Sequence, residues 1–322
     1  MLCALAPMEG ITGYIFRRAH AACFGPADKY MTPFVSPTQH LCFTARERKE
    51  IGPEHNAGLN VVPQILTRDP AHFIWAARAL ADMGYREINL NLGCPSGTVA
   101  AKGKGSGFLA YPEELDRFFD AVFSALTVDI SVKTRVGKIS PDEWPRLLEI
   151  FDRYPICELT VHPRVQADRY NGTPDLAAFA LAAERSRAPL CYNGDLYAPG
   201  GLAALTAAFP GVERFMCGRG VVADPSLLRQ LRGGPPARKD ELAEFHGLLY
   251  DGYRAVMPGP RPVLARMKEL WSYLLFSFTN REKYVRLLRK AGSLSEYEDV
   301  IHALFRDEDL VPAGAFDPAK LK

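Results

Sequence analysis

Cys94 stands between a glycine and a proline in the run Asn89-Leu90-Asn91-Leu92-Gly93-Cys94-Pro95. A thiol in so open a turn is reachable from solvent. It could be a nucleophile if a neighbouring base lowered its pKa, or a proton donor if it stays a thiol. Cys3, Cys23, Cys157, Cys191 and Cys217 read instead as small buried apolar residues. Lys133, in Lys133-Thr134-Arg135, has three readings: hydrogen bonding to an anionic ring, Schiff-base formation, or pairing with a carboxylate. His162, in His162-Pro163-Arg164, could donate to a cofactor or a phosphate, or simply pack. Asn193-Gly194-Asp195 and Gly218-Arg219-Gly220 combine glycine, which lets backbone N–H groups approach an anion, with an arginine fork. The same glycines would also suit plain tight turns. The stretch from Gly97 to Gly107 (GTVAAKGKGSG) carries Lys102 and Lys104 and reads as a mobile, basic lid or a flexible surface loop.

These residues need a scaffold that brings them together. Apolar runs rich in Val, Ile and Leu predict strands at Leu2–Ala6, Tyr30–Val35, Leu59–Ile65, Glu87–Leu92, Val128–Thr134, Cys157–Val161, Pro189–Tyr192 and Arg214–Cys217. Between them, Pro70–Met83 and Pro112–Leu126 repeat apolar residues at the helical period, each with proline in the first turn. Eight strands alternating with helices fit a (β/α)8 TIM barrel, with a doubly wound open sheet as the structural alternative. In a barrel the active site lies at the C-terminal strand ends, and the polar motifs above sit at those ends.

Past Arg232–Asp240 (RGGPPARKD) the alternation stops and only helical patterns remain. Asp240–Val256, Pro262–Phe278, Arg281–Lys290 and Leu294–Phe305 predict four amphipathic helices, and Ser295 with Glu298 has capping-box spacing. The expected organisation is a barrel over residues 1–235 and a small all-helical domain over 238–322. From Arg254 to Lys290 nine basic residues face two acidic ones, a balance of +7. Lys283, Arg286 and Lys290 would share one helix face. Such a face can hold a polyanion by neutralising phosphates, or can be merely solvated.

The chain of 322 residues is 48% hydrophobic and 24% charged, which excludes a disordered chain and leaves ample material for a core. Its net charge of +2 points to no partner by itself. Seven cysteines, no two within four residues, argue against a disulfide framework and against a Cys-x-x-Cys metal or redox site. No apolar run is long enough for a membrane span, and the opening MLCALAPMEG lacks the features of a signal peptide. A cytoplasmic protein without metal or membrane partner, and a monomer, is the expectation.

Together these motifs resemble the dihydrouridine synthases, flavin enzymes that reduce uridine in RNA. The matching residues are Ala6-Pro7-Met8-Glu9-Gly10, Gln64, the run from Asn89 to Pro95, Lys133-Thr134-Arg135, His162-Pro163-Arg164, Tyr170-Asn171-Gly172, Asn193-Gly194-Asp195 and Gly218-Arg219-Gly220, in the family's order. Ala265-Arg266-Met267-Lys268 is similar to the stretch that packs beside RNA in that family. Two departures stand out: Pro163, where the family more often has Gly or Ala, and the GKGSGFL ending of the loop after Cys94.

The resemblance implies reduction of uridines in tRNA to 5,6-dihydrouridine, with FMN as hydride carrier, NADPH as reductant and Cys94 as proton donor to C5. It implies FMN contacts from Pro7, Met8, Glu9, Gln64, Lys133, His162, Asn193, Gly194, Asp195, Gly218 and Arg219. For the RNA it points to Asn91 at the uracil edge and to Lys102, Lys104, Arg164, Arg266, Lys268, Lys283, Arg286 and Lys290. Rival readings are an FMN-dependent reductase of a free pyrimidine or other small molecule, a synthase acting on ribosomal RNA, a Schiff-base lyase built on Lys133, and a non-catalytic RNA-binding barrel.

Overall fold

A computed structural model describes residues 1–312 and 314–321. Nine strands form one sheet: β1 (Leu2–Leu5), β2 (Lys29–Met31), β3 (Val61–Val62), β4 (Gln64–Ile65), β5 (Glu87–Leu92), β6 (Asp129–Gly137), β7 (Leu159–Val165), β8 (Leu190–Tyr192) and β9 (Arg214–Cys217). The order is β3-β2-β1-β9-β8-β7-β6-β5-β4, and the recorded ladders are parallel. The expected eight staves become nine because Pro63, with no N–H to donate, splits the third. Its first half pairs with β2 and its second with β5, so the sheet closes into a (β/α)8 barrel.

The strands also differ from expectation in length. β6 runs to Gly137 and β7 to Val165, pairing Arg135 with His162 and Gly137 with Val165 across a register shift. Arg135, His162 and Arg164 therefore lie within strands rather than in the turns beyond them, and Lys133 lies within its strand as expected. Alternate side chains of a strand share a face, which puts Lys133 with Arg135, and His162 with Arg164.

The chain divides into two compact units. The first comprises residues 1–10, 28–195 and 205–216. Ala4, Ala6, Met31, Val62, Cys191 and Met216 form one apolar cluster in it. Outside the strands, the helix Pro70–Asp82 is capped by Asp69, whose carboxylate accepts from the N–H groups of Ala71 and His72. It buries Phe73, Ala76, Ala77 and Leu80, and Phe73 meets Phe118 of the helix Pro112–Ala125 edge-on at 5.6 Å. Met83, the expected last residue of that helix, is the exposed C-cap.

At the N-terminal strand ends lies a buried ionic cluster that the sequence did not announce. Lys29 Nζ reaches Glu87 at 2.9 Å and Glu158 at 3.1 Å, and Arg214 approaches Glu158 at 3.5 Å. Burial alone would lower the pKa of Lys29, but the two carboxylates outweigh it and raise the pKa. This end of a barrel serves stability rather than chemistry.

The second unit comprises residues 11–27, 196–204 and 217–322. Aromatic packing ties the first of these stretches to the last. Phe16 and Phe24, on the helix Tyr14–Phe24, each meet Phe245 edge-on at 5.4 Å, on the helix Lys239–Val256. The helices Pro260–Leu274, Arg281–Lys290 and Leu294–Asp307 complete it. The last is capped by Ser293, whose hydroxyl accepts from Glu296 N–H, rather than by the expected Ser295.

Candidate active site

The turn that carries Cys94 is built by its neighbours. Asn91 Oδ1 accepts the N–H groups of Gly93 and Cys94, at 3.1 and 2.9 Å. Arg135 Nε donates to Gly93 O at 3.0 Å, and Ser106 holds Cys94 O through both its hydroxyl, at 2.7 Å, and its N–H, at 3.2 Å. Cys94 is half-buried, and burial pushes its thiol pKa up. A backbone N–H at Ser96 and the Arg135 and Lys133 charges pull the other way without reversing it. The group is thus a protonated thiol at neutral pH, suited to give a proton rather than to attack.

Lys133 lies beside Asn91 in the β5–β6 register. Among the described residues its ammonium has no hydrogen-bond or ion-pair partner. Burial first, then the Arg135 guanidinium, push its pKa down to about 8. The carboxylate-pairing reading of Lys133 is thereby corrected: among the described residues no acid stands opposite it. A partly buried cation without an anion is a standing electrostatic cost, and it fits a ligand that carries negative charge.

Gln64 is fully buried, with its amide engaged at both ends. Nε2 donates to Asn89 Oδ1 at 2.7 Å, and Oε1 accepts from Asn91 Nδ2 at 2.6 Å. Asn91, expected at the uracil edge, is likewise 7% exposed and engaged by Gln64 and by the Cys94 turn. On β7, Arg164 corrects a second expectation. It is 1% exposed and cannot be a surface contact for RNA. Its guanidinium forks onto Asp195 at 3.0 and 2.5 Å, lies 3.1 Å from His162 Nε2, and donates to the carbonyls of Asn171 and Gly172. It holds His162, Asp195 and the 171–172 turn in one arrangement.

Pro7 and Met8 are half-buried just past β1, while Glu9 is exposed and paired with Arg46 at 2.5 Å. Asn193 is buried and donates to Met216 O at 2.8 Å. Gly194 tolerates no side chain in place: a Cβ there would stand 2.2 Å from the Tyr192 hydroxyl. In the second unit, Gly218 precedes a short helix, Arg219–Ala223, and Arg219 donates to the Tyr197 hydroxyl at 2.7 Å. Gly220 is required by close approach, since a Cβ would meet Leu196 O at 2.6 Å.

The expected mobile lid is a folded element. Gly97–Ala100 forms a helical turn and Gly105–Ala110 a 3-10 helix, with the stretch from Gly105 to Leu109 buried. Gly103 and Gly105 supply the left-handed backbone that lets the chain reverse between them. Lys102 is exposed and Lys104 half-buried, and neither has a hydrogen-bond or ion-pair partner among the described residues.

The basic residues of the second unit separate into two groups. Arg266 pairs with Glu269, Lys268 donates to the carbonyls of Arg289 and Ala291 at a helix end, and Lys283 stands 3.5 Å from Glu308. These three are engaged within the protein. Arg286 and Lys290 are exposed and have no such partner among the described residues.

Arg135 and Tyr170 stood in the matching motifs but were given no role by sequence reasoning. Arg135 sits over the Tyr170 ring at 5.4 Å, and the ring is also near His162. The signal for Arg135 was its spacing of two from Lys133 on a strand. Nothing in the sequence alone shows that Tyr170 folds back over it. Among the described residues no group of three or more His, Cys, Asp or Glu could hold a metal ion, and no helix is long and apolar enough to cross a membrane.

Residues 4–259 match the family model described as dihydrouridine synthase. A probable tRNA-dihydrouridine synthase of Staphylococcus epidermidis is 32% identical over 232 residues, 69% of each chain. The tRNA-dihydrouridine synthase B of Pasteurella multocida is 28% identical, over 70% of this chain and 67% of its own. Among solved structures, morphinone reductase superposes with a TM-score of 0.51 at 14% identity, covering 76% of this chain and 88% of that one. That last likeness is one of fold.

Proposed function

This chain belongs to the dihydrouridine synthase family, and from that premise we propose that it reduces uridines of tRNA to 5,6-dihydrouridine with FMN and NADPH. The observation that carries this is an unneutralised cation on β6 together with a protonated thiol in the turn just past the neighbouring β5. Lys133 fits a cofactor that carries negative charge on a ring edge, and Cys94 fits a proton donor. Bound FMN, reduced by NADPH, would supply the hydride to C6 of the uracil.

The protein's own part is electrostatic and geometric. The Lys133 ammonium offsets charge on the cofactor ring, beside Pro7 and Met8 as candidate ring contacts. Gly194 allows backbone approach to a phosphate, with His162 and Asp195 held by Arg164. Within the second unit, and separately, Gly218 and Arg219 are candidates to contact an anion. Cys94 gives its proton to C5 and is left as a thiolate, which regains a proton from solvent. The turn bonds from Asn91, Arg135 and Ser106 fix where that proton is delivered.

A uridine within folded RNA must be extruded to reach such a thiol, at a cost of a few kcal/mol. Exposed Arg286 and Lys290, with Lys102 and Lys104, are the candidates to offset it through phosphate contacts. The test is direct. Purified protein given FMN, NADPH and a uridine-containing tRNA transcript should add two hydrogens at defined uridines, read by mass spectrometry. Protein that takes up no flavin, or leaves the RNA mass unchanged, would refute the reading.

A further inference from the structure

We infer that Asn89 and Ser131, inside the barrel, are positioning residues that set the Cys94 turn through a one-way chain of side-chain hydrogen bonds. Neither touches the thiol. The chain starts where chemistry allows no choice: the N–H groups of Gly93 and Cys94 can only donate, so the Asn91 oxygen must face them. The Asn91 NH2 must then face Gln64, which presents its oxygen at 2.6 Å. The Gln64 NH2 faces the Asn89 oxygen at 2.7 Å, and the Asn89 NH2 faces the Ser131 hydroxyl oxygen at 2.9 Å. Three amides point the same way and end on the Ser131 hydroxyl. Reversing Gln64 would set oxygen against oxygen on one side and NH2 against NH2 on the other, and reversing Asn91 would set its NH2 against two backbone N–H groups.

The burial of this chain gives it consequence. Gln64, Asn89 and Ser131 are fully buried, and Asn91 nearly so, so water does not readily replace a lost partner. Removing the Asn89 oxygen frees Gln64 to rotate, and a rotated Gln64 would offer NH2 to the NH2 of Asn91. Asn91 would then be drawn to turn its oxygen away from Gly93 and Cys94. The two backbone N–H groups lose their clasp, and the thiol loses its fixed place. A misplacement of about 1 Å at a reacting group can cost about a hundredfold in rate.

The experiment uses the full-length protein carrying Asn89→Leu, Ser131→Ala or Ser131→Thr. The first readout is amide hydrogen exchange over residues 92–94, and the second is the split of kcat from KM for dihydrouridine formation. Asn89→Leu should speed exchange in that segment about tenfold or more. It should lower kcat by a similar factor, with KM for RNA and flavin content near wild type. Ser131→Ala should act in the same direction but more weakly, and Ser131→Thr, which keeps the hydroxyl, should restore both readouts. If Asn89→Leu fails to fold, the two Ser131 variants decide alone. Variants that melt earlier yet leave the 92–94 exchange and kcat unchanged would overturn the inference. The inference rests on the proposed function for its kinetic readout only. If wild-type protein forms no dihydrouridine, that reading fails while the exchange measurement still decides this one.

Discussion

Replacing Lys133 by methionine should stabilise the flavin-free protein while abolishing its activity. Burial and the neighbouring Arg135 take the Lys133 pKa from 10.5 to about 8. At about 1.36 kcal/mol per pH unit, holding that charge in the folded barrel costs about 3 kcal/mol. Part of the side chain remains at the surface, and solvent screening there reduces the recoverable amount to about 1–3 kcal/mol. Methionine fills a similar volume without a charge, so the flavin-free variant should melt higher, at about 2 °C per kcal/mol for a chain of this size. The sign can be checked with pH. At pH 7 both folded and unfolded chains carry the ammonium, and the full cost applies. Between about 8 and 10.5 the folded chain releases its proton first, so the unfolded state binds more protons and wild-type stability rises with pH. The advantage of the variant should therefore shrink across that window and vanish above it. Thermal melts of flavin-free protein at pH 7, 8.5 and 10 provide the assay. A variant no more stable than wild type at pH 7, or a gap that does not narrow by pH 10, would refute the reasoning.

Three further outcomes are expected. Cys94→Ala should retain flavin and NADPH oxidation but lose dihydrouridine formation by about 10²–10⁴, the range for a lost proton donor; full-rate RNA reduction would sink the assigned role. Lys29→Met leaves the Glu87 and Glu158 carboxylates without their shared cation and should destabilise the protein by about 3–5 kcal/mol. Circular dichroism melts would show this, while turnover per folded molecule at low temperature stays unchanged; a loss under about 1 kcal/mol would contradict the account. Gly107→Ala would place a Cβ 2.4 Å from Ala100 O and 2.8 Å from Ala100 Cα, both backbone atoms. It should cost about 1–3 kcal/mol and loosen the Ser106 hold on Cys94, lowering kcat while flavin content stays constant. An unaltered melt would refute the account of this segment's close packing.

Local pattern carried much of this protein. β5 (Glu87–Leu92), β9 (Arg214–Cys217) and the helix Arg281–Lys290 have the bounds that apolar period and turn residues predict. The reason is that each is set by its own residues: alternation or helical period within, and breakers at the ends. The order of the polar motifs along the chain likewise pointed to the family, and the strand-helix alternation to the barrel. What sequence could not supply was partnership across distance. That Arg164 is held by Asp195, thirty-one residues away, turned an apparent RNA contact into a buried brace. That Ser106 reaches back to Cys94 turned an apparent loose lid into part of the turn itself.

The charge of Lys133 is written in the sequence, and its lack of a counter-ion among the described residues is not. Residue type fixes which groups can donate, accept or carry charge. Only the closed barrel fixes which of them meet, because parallel strands bring side by side residues that the chain separates by whole helices. The one-way order from Ser131 to Cys94 is the clearest case. Its donors and acceptors follow from residue type, and their alignment exists only once three neighbouring staves have been placed in register.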